Sequence, residues 1–197
     1  MNINNKHIIL ASASPRRKEL LQGLNIDFEV DTLNYFEEKI EFTILPDDLP
    51  SYLSEGKSYG FHRELEDNEI LITADTLVLC ENKILGKPKT REDAISMLNL
   101  LSNNEHKVVT GVTLRNKNSC FTFSDTAIVF FDHLSPSDIE YYIDTYKPFD
   151  KAGSYGVQEW IGYIGIKKIS GSFYTIMGLP LHKLYLNLQK FLIDSEF

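Results

Sequence analysis

Three consecutive cations follow a short apolar segment near the start of the chain. Ser14 is a good N-cap and Pro15 a good first helical residue, so a helix is expected to begin there. Its first turn would carry Arg16, Arg17 and Lys18, although the partial positive charge at a helix N-terminus favours acidic residues. A bound polyphosphate would balance this charge, because free backbone N–H groups and arginine side chains both bind phosphate oxygens. A solvated basic turn is the alternative, and it fits the local residues equally well.

A carboxylate lies inside the most apolar segment of the chain. Asp75 interrupts the branched residues 70–79, which predict a strand that is buried on both faces. A buried carboxylate needs a partner, so Asp75 is a candidate metal ligand or a base that activates water. The alternative is that the strand ends there and Asp75 only caps a turn, but residues 77–79 continue the apolar pattern.

Two glycine-containing loops could bring the backbone close to a ligand. One presents Lys87 between Gly86 and Pro88, and the other, residues 150–158, ends in Gln158. The Gln158 amide carries both a donor and an acceptor, which suits recognition of a base edge. An ordinary turn and a flexible surface loop are the respective alternatives. Neither loop has the P-loop pattern.

Composition limits the class of protein. The chain has 197 residues, 43% of them hydrophobic and 24% charged, which is typical of a globular protein with one sizeable core. Its net charge of −8 argues against a nucleic-acid partner, because such proteins usually carry a basic surface. On an acidic protein, a local group of cations would instead concentrate a small anionic molecule.

The cysteines and the hydropathy pattern indicate a compartment. Cys80 and Cys120 form no CxxC pair, so we expect buried free thiols in a reducing cytosol. The five histidines lack ligand spacing and are expected at the surface or as satisfied core groups. The sequence shows no signal-peptide pattern and no membrane-span length, so we expect a cytoplasmic protein without a membrane partner.

The predicted elements alternate between strand and helix. Helices are expected after the caps Ser14, Thr90 and Ser135 and over residues 181–193. Strands are expected in the segments that are rich in branched and aromatic residues, namely 70–79, 107–114, 120–131 and 161–169. This order predicts an α/β fold with a mixed sheet, in a single domain that spans residues 1–197.

Residues 34–67 show no clean period. They could hold a short helix around residues 51–63, which Gly56 and Gly60 would weaken.

Six segments in order resemble the Maf family of nucleotide pyrophosphatases, and together they are specific. They are residues 10–17, 74–76, 86–88, 101–112, 150–158 and 177–180. The resemblance implies a hydrolase that cleaves nucleoside triphosphates between the α and β phosphates. It also implies an extended twisted mixed β-sheet flanked by helices, two lobes with a central cleft, and often a homodimer.

The resemblance further implies a divalent metal cation, Mg²⁺ or Mn²⁺. Asp75 matches the proton acceptor of the family and would also hold the metal. Glu37 or Glu38 matches a second acid on the metal side, with an alignment that can slip by one residue.

Other positions are implied to bind the nucleotide. Arg16, Thr76 and Gln158 match specificity positions, and the pairing of Thr76 with Gln158 resembles members that act on dTTP and UTP. Members that act on 7-methyl-GTP tend to carry Gln and Glu there instead. The phosphate-side positions match Ser12, Arg17, Lys57 and Lys87.

The sequence departs from the family around Lys57. The family usually has an alanine-rich helix there, whereas this chain places Gly56 and Gly60 beside the lysine. Two other functions stay open at this point. One is a purine-directed house-cleaning pyrophosphatase, and the other is a nucleotide-binding regulator of cell division without turnover.

Overall fold

The computed structural model describes residues 5–37 and 44–194. The strands within these ranges are β1 (His7–Leu10), β2 (Phe28–Val30), β3 (Glu69–Cys80), β4 (Lys83–Leu85), β5 (Glu105–Arg115), β6 (Cys120–Phe131) and β7 (Ile166–Ser170). The helices are α1 (Pro15–Gln22), α2 (Leu49–Tyr59), α3 (Arg91–Leu101), α4 (Pro136–Tyr146), α5 (Trp160–Gly165), α6 (Phe173–Met177) and α7 (Leu181–Asp194).

The strands form one mixed sheet, which confirms the predicted α/β fold. Its order is β2-β1-β3-β5-β6-β7, and β4 pairs with β3 outside this path. Strand β1 runs parallel to both β2 and β3, whereas β4 is antiparallel to β3 and β7 is antiparallel to β6. Strand β1 ends at Leu10, opposite Ile72, whereas β3 continues to Cys80 and carries Asp75 three residues beyond this pair.

The chain divides into two compact units. Unit 1 consists of Met1–Asp75, Thr110–Asp125 and Gly178–Phe197, and unit 2 consists of Thr76–Val109 and Thr126–Met177. Strands β3, β5 and β6 each contribute residues to both units. The division in β3 falls between Asp75 and Thr76, so these two candidate residues are assigned to different units.

Local capping signals define three helices as predicted. Ser14 accepts a hydrogen bond from the Arg17 amide at the start of α1, with Pro15 as its first residue. Thr90 and Ser135 each form a capping box with the aspartate three residues later, at the start of α3 and α4 respectively. These helix starts depend on contacts within one turn, which is why the sequence is sufficient to locate them.

The strand predicted over 161–169 is wrong for its first half. Residues 160–165 form α5, and only Ile166–Ser170 form β7. The reason is a close helical turn: a Cβ on Gly162 would lie 2.0 Å from the Val157 carbonyl oxygen, so glycine permits a turn that other residues would block. A short apolar run fits both periods, and tertiary contacts decide between them.

Helix α2 lies in the segment that showed no clean period. It begins at Leu49 with Pro50 in its first turn, includes Gly56, and ends at Tyr59 with Gly60 as its C-cap. Both glycines face Phe36, and a Cβ on Gly56 would lie 2.3 Å from the Phe36 ring. The glycines therefore reflect packing against another segment rather than a break in the helix.

The cysteines agree only partly with expectation. Both are free thiols, but Cys80 is buried whereas Cys120 is half-exposed. Across residues 5–37 and 44–194, no helix is long and apolar enough to cross a membrane.

Candidate active site

The end of strand β1 brings the basic turn to strand β3. The Ala11 amide donates to the Ile72 carbonyl (2.9 Å), which extends the strand pairing up to the start of the turn. From the first turn of α1, Arg17 Nη1 donates to the Ala74 carbonyl (2.8 Å) and Nε to the Gly178 carbonyl (2.8 Å). The Arg17 guanidinium is therefore held beside the residue that precedes Asp75.

Asp75 has a cationic partner from helix α2. Lys57 Nζ donates to Asp75 Oδ1 in a close ion pair, and the two side chains are 22% and 13% exposed. This pair explains how a carboxylate is tolerated within an apolar strand. We refer to Ser12, Arg17, Lys57 and Asp75 as the Asp75 cluster, all of whose members belong to unit 1.

A chain of buried hydroxyls fixes α2 against the sheet. Thr73 donates to the Ser54 carbonyl (2.6 Å), and the Ser54 hydroxyl lies 2.9 Å from that of Thr113 on β5. Thr73, Ser54 and Thr113 are fully buried. Because Thr73 lies two residues before Asp75 and Ser54 three residues before Lys57, these bonds set the spacing of the ion pair.

A segment after β2 packs on the C-terminal half of α2. Asn34 donates from its amide to the Lys57 carbonyl (2.6 Å), and the Tyr35 amide donates to the Gly60 carbonyl (2.8 Å). The Phe36 ring fills the space beside Gly56, and the Phe36 backbone and Cβ lie against Gly60 together with Asn34 Oδ1. We call residues 34–36 the strap, since they hold the helix turn that carries Lys57.

The predicted metal-side acids follow the strap. Glu37 is exposed, and Glu38 lies outside the described residues. Within residues 5–37 and 44–194, no group of three His, Cys, Asp or Glu residues could hold a metal ion by itself. The described residues therefore do not form a complete protein cage for a metal. Mg²⁺ that is bound through substrate phosphates, however, needs only one or two carboxylates.

Arg16 is half-buried and precedes Arg17 in the first turn of α1. Ser12 lies in the short segment between β1 and α1. Ser12 accepts a hydrogen bond from the Ser14 amide (3.3 Å). The structure thus brings Ser12, Arg17, Lys57 and Asp75 into one neighbourhood of unit 1.

In unit 2, the loop that contains Gln158 packs on the residues that follow Thr76. Gly153 has a positive φ of 70°, and a Cβ there would lie 3.1 Å from Val78. The Gly153 amide donates to the carbonyl of Gly86 (3.1 Å), the residue before the exposed Lys87. The predicted segments around Thr76, Lys87 and Gln158 therefore meet within this unit.

Residues 151–159, which we call the Gln158 loop, are not a flexible surface loop. Lys151 and residues 153–157 are buried, and Tyr155 bonds through its hydroxyl to His106 Nε2 (2.7 Å). Burial lowers the pKa of His106 to about 3, so its ring is neutral. Gln158 Oε1 is buried, and it has no hydrogen-bond partner in the described part of the chain. This acceptor is available for a ligand.

Sequence reasoning missed the residues that support these positions. Thr73, Phe36 and Tyr142 carry no chemical signature of their own, because their contacts join segments that are distant in sequence. One signal was present: two glycines on one side of a helix, four residues apart, indicate that a bulky group packs there.

Comparison with known proteins gives a consistent result. A family model described as Maf-like protein matches residues 7–191. A protein of Bacteroides thetaiotaomicron named dTTP/UTP pyrophosphatase is 50% identical over 189 residues, which cover 96% of this chain and 98% of the relative. Proteins with the same name from Flavobacterium psychrophilum and Parabacteroides distasonis are 49% identical (93% of this chain, 94% of the relative) and 46% identical (96% and 98%).

Proposed function

This chain belongs to the Maf family, and from that premise we propose that it hydrolyses dTTP and UTP to the monophosphate and pyrophosphate. The observation that carries the proposal is the ion pair between Lys57 and Asp75, beside the Arg17 guanidinium. A carboxylate with cations beside it can activate water and stabilise phosphate charge. The shared name of relatives that are 46–50% identical over nearly the whole chain supports this activity.

Asp75 would act on the attacking water. Its carboxylate, held by Lys57, accepts the proton as water attacks the α phosphorus, and the pyrophosphate leaves. When phosphates bind, the Lys57 ammonium can donate to a phosphate oxygen as well as to Asp75, because it has three N–H donors. Most of the catalysis would then come from positioning and electrostatics.

The other cations would stabilise the charge of the triphosphate. We infer from the family resemblance that Lys87 contacts the phosphates and that Ser12 donates to them from its hydroxyl, and Arg16 would add its charge from the basic turn. Arg17 already gives two donors to main-chain carbonyls, so its first effect is to fix β3 next to Asp75. Its positive charge would also attract phosphate.

A divalent cation would arrive with the nucleotide as part of the substrate. The donor set fits this role, since Asp75 and Glu37 offer carboxylate oxygens and Mg²⁺ keeps phosphate and water oxygens as its other ligands. Bound there, the cation would neutralise charge that develops on the pyrophosphate. Glu38 stays a candidate from the resemblance.

Gln158 would recognise the base. Thymine and uracil present an N3–H donor beside a carbonyl acceptor, and an amide offers the matching acceptor and donor. The buried Oε1 without a described partner supports this role, because a buried acceptor is costly until a ligand satisfies it. Thr76 is the second specificity position that the resemblance implies.

The test is a panel of triphosphates with Mg²⁺, scored for pyrophosphate release, on the wild type and Asp75→Asn. We expect dTTP and UTP to be preferred, and the variant to lose about 10²-fold or more in kcat while it keeps its fold. Asp67→Asn is the matched control, since Asp67 is an exposed carboxylate of unit 1 that pairs with Lys117.

Three outcomes would contradict the proposal. A folded Asp75→Asn variant with wild-type turnover would remove the central role of this carboxylate. Tight nucleotide binding without pyrophosphate would favour the regulatory function, and preference for modified purines would favour the house-cleaning one.

The proposal includes two properties that the family resemblance implies. We infer a homodimer, which light scattering of the purified protein measures directly. We also infer a cytoplasmic location, where the nucleotide pool is found.

A further inference from the structure

We propose that Tyr142 is a positioning residue for base recognition, because its hydroxyl ties together the two sides of the Gln158 loop. This inference rests on the proposed function, since it takes Gln158 as the residue that contacts the base. All of the residues involved belong to unit 2.

The Tyr142 hydroxyl makes two bonds that flank Gln158. It accepts from the Gly156 amide (2.9 Å), two residues before Gln158, and it donates to the carboxylate of Glu159, the next residue. Glu159 also pairs with the buried Lys151 at the start of the loop (3.1 Å). One hydroxyl therefore holds the backbone before the glutamine, at Gly156, and the side chain after it, at Glu159.

Packing alone does not need this hydroxyl. Tyr142 is fully buried on α4 between Ile139 and Ile143, on a face where a phenylalanine would bury the same ring. A buried hydroxyl costs free energy unless it is bonded, and here both of its bonds go to the Gln158 loop. The natural role of the oxygen is therefore to hold the loop.

The beginning of the loop is held separately. Tyr155 bonds to His106 on β5, and Gly153 and Ser154 adopt positive φ values of 70° and 63°. This anchor leaves the residues after Tyr155 to the hydroxyls of Tyr142 and Tyr163, the second of which donates to the Gln158 carbonyl (2.9 Å). Loss of the Tyr142 hydroxyl should therefore act on Gln158 more than on the start of the loop.

Base recognition is sensitive to such a loss. A hydrogen bond weakens steeply when the donor and acceptor move beyond about 3.2 Å, so a shift of the Gln158 backbone by about 1 Å would break the bond to N3–H. In the same position cytosine presents the lone pair of N3, which repels an Oε1 oriented to accept from the N3–H of thymine. The ratio of kcat/KM for dTTP to that for dCTP therefore reports on the position of the Gln158 amide.

The experiment measures this ratio in four proteins: wild type, Tyr142→Phe, Gln158→Ala and the double variant. We expect each single variant to lower the ratio by about tenfold, mainly through KM for dTTP. The double variant should show no further loss, because both changes remove the same contact. If the role of Tyr142 is merely structural, Tyr142→Phe would lower kcat/KM equally for both substrates and leave the ratio unchanged.

Tyr146→Phe is the matched control. Tyr146 lies one turn later on α4 and stacks on Tyr142, with ring centroids 5.1 Å apart, but it is partly exposed. We expect the wild-type ratio in this variant, and a drop equal to that of Tyr142→Phe would overturn the inference.

The outcomes separate the two proposals. If Gln158→Ala keeps the wild-type ratio, base recognition by Gln158 is wrong and this inference falls with it. If Gln158→Ala lowers the ratio and Tyr142→Phe does not, only the positioning role is wrong. Should Tyr142→Phe fail to fold, Glu159→Ala replaces it: it removes the acceptor of the Tyr142 hydroxyl, so it should lower the ratio, and an unchanged ratio overturns the inference.

Discussion

Replacement of Gly60 by alanine tests whether the strap holds the helix that carries Lys57. Gly60 ends α2 with φ −79° and ψ 1°, a conformation that alanine adopts without strain. Backbone entropy alone therefore predicts that Gly60→Ala stabilises the protein by about 1 kcal/mol. The packing of the strap predicts the opposite sign.

The magnitude follows from three short contacts. A Cβ on Gly60 would lie 2.5 Å from Phe36 Cβ and 2.7 Å from both Phe36 N and Asn34 Oδ1. Unstrained carbon contacts are about 3.5–4.0 Å, so the strap must move by about 1 Å. This movement strains its bonds to the Lys57 and Gly60 carbonyls, at about 1 kcal/mol for each bond lost. We expect a net destabilisation of about 1–2 kcal/mol.

The same movement should lower activity. Asn34 bonds to the carbonyl of Lys57, and a misplacement of about 1 Å in a catalytic site can cost up to about 10²-fold in rate. Urea unfolding measures the free energy of unfolding, and pyrophosphate release from dTTP measures kcat. A Gly60→Ala variant that is more stable than the wild type and fully active would refute the argument.

Three further substitutions sharpen the test. Gly23→Ala is the matched control, since Gly23 ends α1 with φ −62° and ψ −16° and its added Cβ would approach only main-chain oxygens of its own helix, the nearer at 3.2 Å. Gly56→Ala should clash with the Phe36 ring at 2.3 Å, so Phe36→Ala should rescue it. Phe36→Ala should not rescue Gly60→Ala, because that clash involves the Phe36 backbone and Cβ. Equal rescue of both would show that the ring alone fills the space.

Two other predictions concern stability. Bidentate bonds from Arg63 (2.7 and 2.8 Å) lower the pKa of the buried Glu69 from 4.5 to about 2. The ionised carboxylate therefore stabilises the fold by at most about 3 kcal/mol above pH 4.5, and this stabilisation is lost as the pH falls towards 2. In urea unfolding, Glu69→Gln should therefore be less stable at pH 7, and its free energy of unfolding should fall less than that of the wild type as the pH is lowered. The exposed Glu66→Gln should match the wild type. An equal loss of stability at low pH in all three proteins would contradict this. Thr73→Val should lower the free energy of unfolding by about 1 kcal/mol and also lower kcat/KM for dTTP, because the buried Thr73 hydroxyl bonds to α2. Replacement of the exposed Thr126 by valine should change neither quantity.

The sequence was sufficient where one turn of chain decides the structure. The caps at Ser14, Thr90 and Ser135 are each satisfied by an amide three residues later, so they are visible without tertiary contacts. The need of Asp75 for a partner was also visible, because a carboxylate in an apolar strand has few alternatives. The sequence pattern could not identify the partner, and the family resemblance gave Lys57 only as a phosphate-side residue.

The identity of that partner depends on how α2 packs on the sheet. Lys57 is 18 residues from Asp75, and the approach of the helix requires a glycine at position 111, where a Cβ would lie 2.3 Å from the carbonyl carbon of Pro50. Such contacts join residues that are distant in sequence and depend on how their shapes fit, which the periodicity of apolar residues does not encode. The failure at 160–165 has the same origin, because Gly162 and its neighbours fit either a strand or a helix until the Val157 carbonyl is placed.

The residues that break local rules in this chain nevertheless lie in one part of unit 1. Arg17 in the first turn of a helix, Asp75 in an apolar strand and Gly56 inside a helix are each unfavourable by local criteria. Each is resolved by a neighbour in unit 1: Arg17 by the Ala74 carbonyl, Asp75 by Lys57, and Gly56 by the Phe36 ring. Natural chains tolerate local violations mainly where function requires them, so several violations that resolve one another indicate a site before any ligand is known. By this criterion we propose that the basic turn is part of an anion site, whereas its own residues fit a solvated surface equally well.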